Sequence, residues 1–380
     1  MVLSEDNNYF VITLSENYIT EANSHDILFR RLDKIDFKNN FIFFINQYEL
    51  FFGPNKKSNI DVNDKIIIKL IKKYHNLALQ NNLQFKIIFA FMHEAPTYEN
   101  DYKFIIDYIV QNSSLNYKDI SIICGAQNNV DATVKNFTTQ YIAFCNLNVA
   151  DLLNYDCKHI PTHHFVSLAR IARPHRIIST VELLDRKLDT FGYFSLGSGF
   201  YKDLNENKNL NLVPDRYKNL FPAYIDGPQI NHGGNEHVFD NEKITRAFVN
   251  LVQESSYDRK ISSNYWTVPF MTEKSTKPFA LGQVPIFISC YNSLSTIRSY
   301  GFDLFDDIID HSYDNELDPH KRILLAIDQL EKICKTPLQY WVDYKEKNID
   351  RFVKNYKIVT DYVQNMGSRL TLDLQKAIDE

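Results

Sequence analysis

Short apolar runs separated by amphipathic stretches form the pattern of the first 150 residues. FIFFI (41–45), FKIIFAF (85–91) and SIIC (121–124) have the length and the β-branched and aromatic content of strands buried on both faces. Between the first two, NDKIIIKLIKKYHNLALQ places Ile66, Ile67, Leu70, Ile71, Tyr74, Leu77 and Ala78 on one helical face, behind a cap at Asn63 or Asp64. YENDYKFIIDYIVQ supplies another helix ahead of the third strand. Strands that alternate with helices predict βαβ units and a mostly parallel sheet, so residues from about 38 to 150 read as an open α/β domain.

The same alternation resumes near Pro161. HFVSLAR reads as a strand, RIISTVELLDRKLDTFG as a helix ending at Gly192, RAFVNLV as a strand, and PFMTEKSTKPFALGQVPIFIS (269–289) as a helix feeding a buried strand. NSLSTIRSYG follows as a helix ending at Gly301. The Asn-rich stretch at 205–237, punctuated by Pro and Gly, reads as a long excursion from the core. From Pro319 the pattern is helical, with a break at Pro337 and a final helix to about 378. In that helix Ile349, Phe352, Val353, Tyr356, Val359 and Val363 recur near helical spacing and require an apolar partner, expected in the N-terminal domain. The expected organisation is therefore an N-terminal α/β domain (1–160), a C-terminal α/β domain (161–335) and helices packing back on the first domain (336–380).

Composition narrows the classes of function. A chain of 380 residues with 44% hydrophobic content can bury the cores of two domains. The net charge of −5 gives no global reason to expect nucleic acid, whose binders carry a basic face. Five cysteines (Cys124, Cys145, Cys157, Cys290, Cys334), widely spaced and without a C-x-x-C pair, argue against a disulfide framework and a zinc ribbon. The opening residues lack a basic and then apolar leader, and no stretch reaches the ~20 apolar residues that span a bilayer. The expectation is a cytoplasmic protein without integral membrane insertion.

The chain contains no phosphate loop of the G-x-x-x-x-G-K-[ST] type, no H-E-x-x-H and no D-x-D. GSGF (197–200) reads as a turn; His232, Glu236 and His237 belong to a polar loop without a second ligand cluster; His163 and His164 adjoin a strand start and read as structural. The segment at 269–289 carries more chemistry, because Glu273, Lys274 and Lys277 stand where a helix opens after a strand. Such an opening has free N–H groups, a partial positive charge, and a place at the sheet edge where α/β folds bind ligands. Glu273 can accept two ribose hydroxyls there, while Lys274 and Lys277 neutralise a diphosphate. Taken alone, a T-E-K triplet is most simply a helix start with solvated lysines.

The surroundings add a resemblance. AFVNLVQESSYDRKISSNYWTVPFMTEKSTKPFALGQVPIFIS (247–289) resembles the donor-binding segment of the α-1,3-fucosyltransferase family and its bacterial and viral relatives, with Glu254, Glu273, Lys274, Gly282 and VPIFI at the matching features. FVSLARIARPHRIISTVELL and GFDLFDDIIDHSYDNELDPHKR resemble what precedes and follows in that family, so the likeness covers about 161–335. Phe270 departs from it, standing where the family often has an aromatic hydroxyl, and the region around 203–240 has no counterpart.

The resemblance implies two Rossmann-like domains facing across a cleft in the GT-B manner. It implies a glycosyltransferase that takes a nucleotide-diphosphate sugar as donor, without a metal or other cofactor. On this reading Glu273 binds ribose, Lys274 the diphosphate, and Arg173 or Arg176 completes the clamp, with Arg170 as a further candidate. The general base is expected from a carboxylate at a strand end in the first domain, Glu94 in FAFMHEAP or Glu49 after FIFFINQY, with His93 as a neighbouring alternative. The acceptor is a glycan, a small molecule or a modified DNA base. The alternative is a non-catalytic nucleotide- or glycan-binding protein of the same fold.

Overall fold

The computed structural model describes residues 9–14, 40–46, 71–73, 75–82, 85–91, 107, 109–111, 113, 115–124, 135–138, 149–197, 211–225, 241–254, 257, 260–261, 264–265 and 271–365. The chain divides into two compact units, Met1–Ile142 with Gly367–Glu380, and Ala143–Met366.

In the first unit, β1 (Tyr9–Leu14), β2 (Asn40–Asn46), β3 (Phe85–Phe91), β4 (Ile120–Cys124) and β5 (Lys135–Thr138) lie side by side in chain order, each pair parallel. β2, β3 and β4 are the three strands expected from their apolar runs. β1 and β5 are additions: YFVITL carries the β-branched and aromatic residues of a strand, whereas KNFT has too few apolar positions to announce one. Residues 71–73 and 75–80 are helical, and Ile71 and Ala78 of the predicted stripe are buried. Each step from strand to strand runs the same way, so among the described strands this sheet has no reversal of order.

The second unit contains, in chain order, α1 (Val149–Asn154), β6 (His163–Ala169), α2 (Pro174–Asp185), β7 (Gly192–Leu196), α3 (Glu242–Thr245) and β8 (Ala247–Gln253). The short antiparallel pair β9 (Lys260–Ile261) and β10 (Asn264–Tyr265) precedes α4 (Glu273–Ala280) and β11 (Val284–Ile288). After these come α5 (Ser293–Ser299), α6 (Pro319–Lys335), α7 (Leu338–Lys347) and α8 (Ile349–Gln364). The main sheet is all parallel in the order β11-β8-β6-β7. Every residue of β8 and β11 is buried, which is why both read as unbroken apolar runs apart from buried polar residues such as Asn250 and Gln253. No described helix is long and apolar enough to cross a membrane.

Four expectations are corrected here. α2 stops at Asp185, where Lys187 takes a left-handed conformation (φ 56°), and Gly192 instead opens strand β7. A Cβ at Gly192 would lie 2.2 Å from the carbonyl oxygen of Phe165, so this glycine serves close strand approach rather than helix termination. The final helical stretch is two helices broken at Asn348, and α8 runs to Gln364 with Asn365 as its cap; the rest of the expected helix, 366–378, lies outside the described residues. The apolar stripe of α8 finds its partner inside the second unit: Phe352, Val359 and Val363 join the core around Phe279, Phe302 and Phe305, with Phe305 and Phe352 rings 4.5 Å apart. α8 also reaches α1, where Tyr356 Oη donates to the carbonyl of Leu152 at 2.5 Å. α1 itself belongs to this unit, which begins before the boundary expected at 160.

Candidate functional site

β6 leads through α2 to β7 on one side, and the chain then returns to place β8 on the other side of β6. The strand order therefore reverses between β6 and β8. Connections leaving the carboxyl ends of two such strands diverge, and the crevice between them is where open α/β sheets bind ligands. All of the donor-site residues expected in this half belong to that edge. Arg170 follows β6, Arg173 and Arg176 open α2, Glu254 follows β8, Glu273 and Lys274 open α4, and Lys277 stands in its last turn.

The arginines separate by burial. Arg176 is 2% exposed, and its guanidinium ties three backbone carbonyls together: Nη1 donates to Ile171 (3.1 Å), and Nη2 to Gln253 (3.0 Å) and Glu254 (3.2 Å). Its Nε is buried without a hydrogen-bond partner. Burial and the neighbouring charge of Arg173 push its pKa down to about 10, against the opposing pull of Glu254 and Glu273, so it stays charged at neutral pH. Arg176 is thus a clamp between the turn after β6 and the end of β8. Its inward place is written in the register of α2, since Thr180, Leu183 and Leu184 continue the same buried face. Arg173 is the N-cap of that helix, half-buried, with Pro174 after it at a position where the missing N–H costs no helical bond.

Glu254 is 1% exposed and joins both helix openings. Its carbonyl accepts from Arg176 Nη2 and from His175 Nε2 (3.0 Å), both in the first turn of α2. Its carboxylate accepts from the first turn of α4: the Thr272 N–H (3.2 Å), the Thr272 hydroxyl (2.9 Å) and the Ser275 hydroxyl (2.6 Å). The His175 ring also stacks on Tyr257 at 4.8 Å, and burial pushes its pKa down to about 3, so it stands neutral here. Below this layer, Ser179 of α2 donates to Gln253, and Gln253 donates to Ser167 of β6, a buried polar relay that fixes α2 on the sheet.

At the mouth of α4, the Lys274 ammonium donates to Glu273 Oε1 at 2.7 Å and to Thr272 Oγ1 at 3.3 Å. Burial opposes ionisation of Glu273, yet the charges of Lys274 and Lys277 outweigh it and hold the carboxyl below its ordinary range. The edge thus gathers cations of both helix openings around a carboxylate kept ionised. Thr272, which caps α4 through Lys274 N–H, was legible in the sequence as a threonine before an E-K start. His175, Ser275 and Tyr257 were not, because their partners come from distant segments.

Glu94, Glu49 and His93, and also His232, Glu236, His237 and Phe270, lie outside the described residues. His163 and His164 are buried, their Nε2 atoms bonded to the carbonyls of Lys243 (3.0 Å) and Thr336 (2.9 Å). Among the described residues no group of three or more His, Cys, Asp or Glu side chains is arranged to hold a metal ion. Compared with protein-family models, curated proteins and solved structures, the chain matches none.

Proposed function

We infer that the carboxyl edge of β6 and β8 binds the diphosphate of a nucleotide sugar, and that the protein is a glycosyltransferase delivering the sugar to an acceptor hydroxyl. The observation that carries this reading is the meeting of two helix N-termini, α2 and α4, at the reversal of strand order, with Arg173 and Lys274 drawn from those same openings and Lys277 one turn further along α4. Helix N-termini favour phosphate through free N–H groups and a partial positive charge. Glu273, ionised beside its lysines, takes the ribose hydroxyls. The order of motifs that resembles α-1,3-fucosyltransferases points the same way.

In the transfer, the acceptor oxygen bonds to the anomeric carbon while the bond from that carbon to the phosphate oxygen breaks. The electron pair leaves with the nucleoside diphosphate, and the acceptor proton passes to a carboxylate base, Glu94 or Glu49, with His93 as the alternative. Negative charge grows on the departing diphosphate, and cations fixed in advance stabilise it most where it grows.

Thermal unfolding with a panel of nucleoside diphosphates and nucleotide sugars tests the reading. A ligand at 100 times its Kd raises stability by ~2.7 kcal/mol. Lys274→Ala should weaken that binding by ~1.5–3 kcal/mol, the range of a charge-assisted hydrogen bond. If no nucleotide shifts the transition, the donor site is wrong. Release of free nucleoside diphosphate on adding acceptor separates a transferase from a binding protein.

A further inference from the structure

Resting on that diphosphate reading, we propose that Glu254 is a positioning residue that acts through the Thr272 hydroxyl on Lys274 and so sets the phosphate-facing cation of α4. A carboxylate only accepts and an ammonium only donates, so the direction of the chain between them is fixed. The Thr272 hydroxyl gives its one hydrogen to Glu254 Oε2 (2.9 Å) and can offer only lone pairs to Lys274, whose backbone N–H and Nζ both lie 3.3 Å from Oγ1. Ser275 is held by the same carboxylate at 2.6 Å, which pins the first turn of α4 on both sides of the lysine. Glu254 stands 1% exposed and is reached from the opposite side by His175 and Arg176 through its backbone carbonyl. Its side chain therefore orients one helix opening while its main chain anchors the other. A contact with the ligand is not required for it to govern the site.

Glu254→Gln keeps the volume and the backbone anchors but places an N–H₂ on one side of the carboxamide. With its oxygen kept toward Ser275 and the Thr272 N–H, the new donor faces Thr272 Oγ1, and the hydroxyl hydrogen is turned toward the ammonium. Lys274 then loses the Thr272 acceptor and is held by Glu273 Oε1 alone. Calorimetric titration of GDP and UDP, with guanosine and uridine as controls, reads the consequence in the full-length protein. The expected result is a loss of ~10-fold in diphosphate affinity in Glu254→Gln and in Thr272→Val, with nucleoside affinity unchanged and Thr272→Ser close to wild type. Adding Glu254→Gln to Lys274→Ala should change affinity by less than ~2-fold beyond Lys274→Ala alone, because the two act in one chain.

Additive losses, or equal losses for nucleosides, overturn the positioning role and leave the diphosphate site standing. If Lys274→Ala itself leaves GDP and UDP affinity untouched, or neither nucleotide binds, the diphosphate reading falls and this inference with it. Should Glu254→Gln not fold, Thr272→Val against Thr272→Ser decides the same question, since one removes and the other keeps the hydroxyl.

Discussion

Lys345 lies on the buried face of α7, where its ammonium donates to the carbonyl of Gly282 at 2.7 Å and lies 3.3 Å from His159 Nε2. Burial pushes its pKa down to about 7, against the weaker pull of Cys157 and Asp156; the same environment holds His159 down at about 3, hence neutral. The unfolded lysine titrates near ~10.4. Between that value and about 7 the unfolded chain binds more protons than the fold at this site, so its contribution to stability rises with pH across the window and is flat below it. Burial also pushes the Cys157 thiol up, which acts in the opposite sense as pH climbs through the ordinary thiol range near ~8.5. The lysine is therefore best read between about pH 7 and 8. Urea unfolding of Lys345→Met in that interval should lose an upward slope on the order of 1 kcal/mol per pH unit relative to wild type. Equal slopes for the two proteins would place the proton elsewhere.

At the scale of the elements, the reversal of order between β6 and β8 depends on how closely β7 and β8 can lie against β6. Gly192 makes the first approach possible, because an added Cβ would fall 2.2 Å from Phe165 O and 2.6 Å from its ring. Backbone cannot yield at a buried strand pair, so Gly192→Ala should cost on the order of 2–3 kcal/mol, seen as a lower urea midpoint with an unchanged denaturant slope. The turn from α4 into β11 uses a second glycine in a different way. Gly282 has φ 61° and packs against the Cys157 backbone, so it provides both the left-handed conformation and the close approach.

For the whole molecule, the second unit closes one core from β8, β11 and helices α4 to α8, including Phe248, Phe279, Phe302 and Trp341. The residues proposed to hold the donor belong to that unit, and the two carboxylates proposed as base fall within the other. Substitution of those carboxylates tests the proposed mechanism independently of binding. On the proposed transferase reading, Glu94→Gln should abolish sugar transfer while nucleoside diphosphate affinity stays within ~2-fold of wild type, since only the proposed proton acceptor is removed. Loss of transfer in Glu49→Gln alone would assign the base there. Full activity in both variants would remove the strand-end carboxylates from the mechanism.

By itself the sequence determined the α/β class with parallel sheets and the opening of α4. Strands carry continuous apolar runs where they are fully buried, so VPIFI declared itself, FKIIFAF read as a strand from its run of apolar residues, and a threonine followed by Glu273 and Lys274 marked the opening of α4. Such signals are local, and local spacing is enough to read them. The tertiary structure alone decided which arginine is buried, what Glu254 holds and where the strand order reverses. Those outcomes depend on partners far away in the chain: Arg176 meets the Gln253 carbonyl 77 residues on, and Glu254 meets Ser275 21 residues on. A side chain's role follows from the groups that replace water around it, and for Arg176 and Glu254 those groups are brought together only when β6 and β8 pair.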